Sequence, residues 1–102
     1  MSQANYSAAK GGLLSLTRTL ALEGARYGIT ANCVMPAITE TPLFQQLDPE
    51  AKSRLAGTVP MGRVGQPDDV AWAVSAFAAD EASYITGQHV YVCGGRSLSS
   101  AE

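Results

Sequence analysis

Only two short stretches of this chain read as β-strands, Ile29 to Met35 (ITANCVM) and His89 to Cys93 (HVYVC). Both are apolar and partly β-branched, which marks buried strands. A helix-like segment lies between them, and a strand–helix–strand unit of this size is most simply a right-handed parallel crossover. Parallel strands need helices on both faces of their sheet, and two strands alone do not make a stable one. The pattern therefore reads as the end of an α/β sheet rather than a whole one.

The helices have their own punctuation. Asn5 to about Tyr27 forms a helix pattern with Asn5 as its N-cap and Gly28 as its stop. Ala9, Leu13, Leu16 and Leu20 recur at spacings of three and four and form its expected buried stripe. Tyr6 and Lys10 share a narrow sector with Leu13 and Thr17, at the edge of that stripe. On the far side Gly11, Gly12, Ser15 and Thr19 cluster with Leu22. Two successive glycines each cost a helix about 1 kcal/mol relative to alanine. They mark either a weak exposed face or a small-residue surface for another helix.

From Pro36 to Val59 the periodicity breaks up, with Pro42, Pro49 and a short helix over residues 49–56. So long a stretch of weak structure suits a lid or binding loop. Pro67, with Asp68 and Asp69 at the positive end of the dipole, opens a further helix with Val70, Ala73, Val74 and Phe77 inward. After the second strand, Gly94-Gly95 leads to a polar tail, RSLSSAE, that reads as loose.

Charge narrows the function classes. A net charge of −2, with Lys and Arg scattered, argues against nucleic acid or an anionic membrane surface as a partner. No apolar run approaches the ~18 residues of a membrane span, and no signal-peptide layout is present, so the expected location is cytoplasmic. Cys33 and Cys93 read as reduced core residues, and His89 as structural; no metal-ligand spacing occurs.

One pair carries chemistry. A free phenol ionises near pH ~10, and an ammonium group one helical turn away favours the phenolate. Tyr6 and Lys10 have that spacing. Such a phenol can exchange a proton with an alcohol oxygen while hydride moves at the adjacent carbon. The lysine's other donors can hold vicinal hydroxyls. By spacing alone, a solvated helix face is the simpler explanation of the pair.

Its context adds weight. NYSAAKGGLLSLTRTLALEGARYGITANCVMPA resembles the short-chain dehydrogenase/reductase family, in its classical, 3-oxoacyl-ACP-reductase-like form. The resemblance lies in Tyr-x-x-x-Lys, then Gly-Ile-x-x-Asn-x-Val-x-Pro, then Thr39, Thr41, Pro42 and Leu43 in place of the cofactor loop. It continues through MGRVGQPDDVA and YITGQHVYVCGG, from about Gln3 to Ser97.

The resemblance implies a C-terminal part of a Rossmann-like doubly wound parallel sheet, ordered helix, strand, lid, helix, strand. It implies hydride transfer between NAD or NADP and a small-molecule ketone or secondary alcohol. Tyr6 would be the acid/base, and Lys10 would hold the nicotinamide ribose. Pro36, Ala37, Ile38 and Thr39 would face the carboxamide, Thr41 would reach the carboxamide or phosphate, and residues 43–59 would form the substrate lid. The family is commonly tetrameric, which implies a homo-oligomer through the Gly11–Gly12–Ser15 face and the C-terminal strand.

Three features depart from the family. Pro36-Ala37 stands where Pro-Gly is usual, and alanine excludes positive φ more strongly. Cys93 stands where aspartate is frequent. The Gly-rich pyrophosphate turn, the catalytic serine and the catalytic asparagine have no counterpart in these residues. The expectation is that residues 1–102 are the C-terminal fragment of one domain, with Met1 an internal start and no activity in isolation. Two alternatives stay open: a truncated, non-catalytic chain that assembles with longer relatives, or a loose fragment that self-associates through its bare sheet edge.

Overall fold

The structure, a computed structural model, describes residues 2–98. The expected internal start at Met1 and residues 99–102 of the tail RSLSSAE lie outside the described residues; the first part of that tail, expected to be loose, is instead a 3-10 turn at Arg96–Leu98, held by the Arg96 amide on Cys93 and the Leu98 amide on Gly95. Helix α1 spans Ser2–Gly24, strand β1 Cys33–Pro36, and helices α2 and α3 span Pro42–Gln45 and Pro49–Ala56. Helix α4 (Pro67–Ala78) and strand β2 (His89–Val92) follow, with 3-10 turns at Ala25–Tyr27, Asp80–Ala82 and Arg96–Leu98. β1 and β2 form one sheet. The Cys33 amide donates to Gln88 and the Ala37 amide to Val92, the same separation along the chain at both ends, so the pairing is parallel as expected.

The chain divides into two compact units, Met1–Cys33 with Ala76–Val90, and Val34–Ser75 with Tyr91–Glu102. In the first unit α1 begins at Ser2, so Asn5 lies inside the helix and is not its cap. Gly28 ends the following turn in the left-handed region, at φ 71°, as its placement suggested. The buried face differs from the expected stripe. Leu13, Leu16 and Leu20 are each about half exposed, whereas Thr17 and Ala21 are buried. Lys10, Leu14 and Gly24 are half-buried, so the covered stripe runs 10, 14, 17, 21, 24.

Small residues win that face because backbone lies close to it. A Cβ on Gly87 would sit 3.4 Å from Ala21, and one on Gly24 would press Ile29 at 3.1 Å. Thr17 satisfies its hydroxyl by donating to the Leu13 carbonyl at 2.8 Å. The first unit is then stitched by the Asn32 side chain. Its Nδ2 donates to the Ile85 carbonyl (3.1 Å), and its Oδ1 accepts from the Gln88 amide (3.0 Å). The Ala31 amide donates to Thr86 Oγ1 and its carbonyl accepts from the Gly87 amide.

The core of the second unit is Met35, Phe44, Val59, Val64 and Ala73. α2 and α3 start alike, each on a capping side chain followed by proline. Thr41 Oγ1 accepts from the Phe44 amide, and Asp48 Oδ1 from the Ala51 amide. At the start of α4, Asp69 Oδ2 accepts from the Gln66 amide (2.8 Å) and from Arg63 Nη1 (3.1 Å). That is half of a capping box, a third-position carboxylate reaching back to the helix entrance. Gly94 and Gly95 take φ values of 60° and 94° and pack on Val59 and Pro60.

Two outcomes follow from this packing. Gly94→Ala forces a side chain into the left-handed region and within 2.7 Å of Val59 Cγ1. It should destabilise by roughly 2–3 kcal/mol, read as a lowered urea midpoint, whereas an unchanged midpoint would contradict this packing. The Gln66 amide, then the Arg63 guanidinium, hold the Asp69 carboxyl below the usual aspartate range, against a smaller opposing effect of burial. A depressed folded-state value contributes stability above the unfolded pKa of about 3.9 that fades as pH falls through the folded value. Asp69→Asn should therefore flatten the acid limb of the stability curve below about pH 4; superimposable limbs would refute the linkage.

Candidate active site

The expected acid/base pair lies in the first unit. Tyr6 and Lys10 are one turn apart on α1, with Lys10 Nζ 5.7 Å from the centre of the Tyr6 ring, within cation–π reach. Lys10 heads the covered stripe and is half-buried, while the Tyr6 ring is 61% exposed. The pair thus stands where α1 leaves its packing surface, with the phenol open to a reacting group.

The expected cofactor residues lie in the second unit, on the loop that leaves β1. This loop is tightly bound. The Ala37 amide donates to Val92 (3.1 Å), and Thr39 Oγ1 donates to the Ala37 carbonyl (3.1 Å). Gly65 clasps it from the side, its amide on the Ile38 carbonyl (2.9 Å) and its carbonyl on the Glu40 amide (2.7 Å). Thr39 and Gly65 form a single parallel bridge. The sequence reading gave Gly65 no site role. It lies in the stretch MGRVGQPDDVA, and a Cβ there would lie 3.5 Å from the Ile38 carbonyl, an ordinary contact distance.

Those commitments leave a specific donor set. Among the described residues, the amides of Ile38 and Thr39 donate to no loop partner, and Thr41, whose oxygen caps α2, keeps its hydroxyl hydrogen. Two adjacent amides and a hydroxyl suit an amide-bearing ring such as nicotinamide. Alanine at 37 does not disturb the loop, because among the described residues only glycines have positive φ.

The same five loop residues, Pro36 to Thr39 and Thr41, form one side of a groove of about 830 Å³. Leu43, Phe44, Leu47 and Leu55 form another, and Pro67 and Val70 of α4 complete it. Sequence reasoning gave α4 no share in this groove. Its only sign was the apolar pattern of that helix.

Cys93 sits in the turn after β2, half-buried and free, and Cys33 is buried and free. Burial pushes the Cys93 thiol up, but the Ser97 hydroxyl at 3.2 Å and the amides of Ser97, Gly95 and Arg96 outweigh it, and the net shift is downward. These are the donors a carboxylate would accept from at that position. Among the described residues no group of three or more His, Cys, Asp or Glu side chains is placed to hold a metal, and no helix is long and apolar enough to cross a membrane.

A family model described as enoyl-(acyl carrier protein) reductase matches residues 1–97. The chain is 45% identical over 96 residues to (2S)-[(R)-hydroxy(phenyl)methyl]succinyl-CoA dehydrogenase subunit BbsD of Thauera aromatica, covering 94% of this chain and 39% of that one. It is 43% identical over 93 residues to the 3-oxoacyl-[acyl-carrier-protein] reductase FabG of Rickettsia conorii, covering 91% and 39%. It is 45% identical over 97 residues to 3beta-hydroxysteroid dehydrogenase 1 of Eggerthella lenta, covering 93% and 37%. The crystal structure of YwfH, an NADPH-dependent reductase involved in bacilysin biosynthesis, superposes with a TM-score of 0.81 at 30% identity, covering 87% of this chain and 38% of that one. The chain thus spans about two fifths of the length of these relatives.

Proposed function

We propose, for a chain that belongs to the short-chain dehydrogenase/reductase family, that it carries the acid/base and nicotinamide-facing part of an oxidoreductase acting on a ketone or secondary alcohol. The observation that carries this reading is the exposed Tyr6 phenol with the Lys10 ammonium one turn along the same helix. The cofactor is NAD or NADP. When bound in its reduced form, the nicotinamide supplies a hydride to the carbonyl carbon.

The chain's own residues do the rest. Tyr6 gives its phenolic proton to the carbonyl oxygen as negative charge develops there, and takes it back in the reverse direction. Lys10 keeps a positive charge beside that ring and offers its ammonium donors to the ribose hydroxyls. The Ile38 and Thr39 amides and the Thr41 hydroxyl orient the carboxamide, and residues 43–59 act as the substrate lid. In isolation the 102 residues are expected not to turn over, because they include no glycine-rich turn for the pyrophosphate and no counterpart of the family's serine that lies upstream of the tyrosine and polarises the carbonyl. The free thiols of Cys33 and Cys93 suit a reducing, cytoplasmic setting.

α1 also offers an assembly surface. Leu13, Leu16 and Leu20 are exposed, and a side chain added at Gly11 or Gly12 would meet nothing within 4 Å. This openness supports homo-oligomer contacts through the Gly11–Gly12–Ser15 face and the C-terminal strand, as in a homotetramer. It equally supports the second reading, a non-catalytic chain that works by binding longer relatives.

Splicing residues 1–102 onto the upstream portion of the Rickettsia reductase gives the direct test. The hybrid should reduce a ketone with NADH or NADPH, and Tyr6→Phe should lower kcat by roughly 10²- to 10⁴-fold. Lys10→Ala should lower kcat and raise the cofactor KM together. Undiminished turnover in Tyr6→Phe would end the catalytic reading. In the same hybrid, Gly12→Leu should reduce oligomer size by light scattering while leaving the circular dichroism spectrum intact. An unchanged oligomer would remove the small-residue face as its contact.

A further inference from the structure

The two peptide groups that meet at Gly65 are each held at both ends. A trans peptide points its carbonyl and its N–H in opposite directions. In the peptide between Val64 and Gly65, the Val64 carbonyl accepts from Arg63 Nη1 (3.1 Å), and the Gly65 amide donates to the Ile38 carbonyl (2.9 Å). In the next peptide, the Gln66 amide donates to Asp69 Oδ2 (2.8 Å), and the Gly65 carbonyl accepts from the Glu40 amide (2.7 Å). Arg63 Nη1 also meets Asp69 Oδ2 at 3.1 Å. One ion pair thus holds the back of both peptides.

The front of each peptide holds the loop after β1. The Ile38 carbonyl shares its peptide group with the Thr39 amide, and the Glu40 amide shares its own with the Thr39 carbonyl. The parallel bridge of Thr39 with Gly65 uses the amide and carbonyl of Gly65 and turns those of Thr39 to the opposite side. Among the described residues neither Thr39 group is hydrogen-bonded. Two chains of hydrogen bonds therefore end on Thr39. One starts at the guanidinium and makes the Thr39 amide a stronger donor. The other ends at the carboxylate and makes the Thr39 carbonyl a stronger acceptor. With side chains 57% and 37% exposed, the ion pair adds little to stability by itself. Its effect lies in where it aims the backbone.

We propose that Arg63 and Asp69 are positioning residues for the cofactor, aiming and polarising the Thr39 amide and carbonyl through the peptide groups on either side of Gly65. A carboxamide is met by such a pair, a donor for its oxygen and an acceptor for its amino group. The assignment rests on the reading above in which the loop after β1 orients the nicotinamide carboxamide.

Amide exchange in the 102-residue chain, followed by NMR, reads the positioning without cofactor. The Gly65 and Glu40 amides should be protected, and Arg63→Ala and Asp69→Ala should each speed their exchange by about threefold or more. The Ala37 amide, bound to Val92 in the same unit, should keep its rate, which separates a local loss of aim from a general loss of stability. Asp69→Asn, which keeps an acceptor for the Gln66 amide, replaces Asp69→Ala where that variant does not fold. In the hybrid, fluorescence titration with NADH or NADPH should show each variant binding roughly three- to tenfold more weakly, the range of one net hydrogen bond. The 3-acetylpyridine analogue of the cofactor keeps the carbonyl on its ring and lacks the amino group. With it the loss in Arg63→Ala should persist, and the loss in Asp69→Ala should shrink.

Unprotected Gly65 and Glu40 amides in the parent chain, unchanged exchange in both variants, or an equal rise at Ala37 would overturn the proposal. Losses that the analogue leaves unaltered in both variants would overturn it too. Faster exchange with unchanged cofactor affinity would remove it together with the carboxamide reading of the loop. Failure of the acid/base reading is separate. Undiminished turnover in Tyr6→Phe, with exchange and binding responding as expected, would end catalysis by Tyr6 and leave the positioning role standing.

Discussion

The Asn32 side chain sets the register on which the β1–β2 pairing rests. By donating to Ile85 and accepting from Gln88, it extends the strand pairing one step before β1 begins, where no second backbone partner is at hand. Ala31 holds Thr86 and Gly87 in the same way. Once these groups are paired, Cys33 must meet Gln88, and the strand delivers the Ala37 amide to Val92. A slip of one residue would turn Cys33 and Met35 from the buried face to the other. The loop that begins at Ala37 therefore starts where an amide side chain places it.

The motifs of this chain work in pairs. The Ala-Asn of β1's approach answers the Thr-Gly-Gln before β2. The loop through Thr39 answers Gly65, and Gly94-Gly95 answers Val59 and Pro60, with the Met61 amide on the Gly94 carbonyl and Arg96 Nε on Thr58 Oγ1. In the first and third pairs a glycine with positive φ (Gly87, and Gly94 with Gly95) brings the backbone in, and the other partner supplies the hydrogen bonds or the apolar cover; in the second, Gly65 bonds the loop on both sides. The same logic applies to the loop after β1. Gly65 and Val92 occupy its outward groups and leave the Ile38 and Thr39 amides uncommitted.

Packing is spread thinly over both units. The first is built around Ala21, Cys33 and Ala82 with Thr17, and the second around five apolar residues of which only Phe44 is aromatic. Among the described residues no large side chain is wholly buried. Apolar burial supplies stability roughly in proportion to area, so hydrogen-bonded joints such as Asn32 and Asp69 carry more of the specification here than in a larger core.

The sequence determined the element order, the parallel pairing, the starts of α3 and α4, the Gly28 stop and the positions of Tyr6, Lys10 and the loop after β1. These follow from local rules: prolines and glycines restrict φ, helical spacing puts residues four apart on one side, and apolar strands seek cover. What only the tertiary structure decided were the choices among locally equivalent options. Leucine periodicity pointed to Leu13, Leu16 and Leu20 as the covered face, yet close backbone at Gly87 and Ile29 admits only Thr17, Ala21 and Gly24. The short helix α2, capped by Thr41, and the share of Pro67 and Val70 in the groove depend on residues far apart in the chain. Periodicity states which side of an element is apolar; which side is covered depends on how near its neighbours can come.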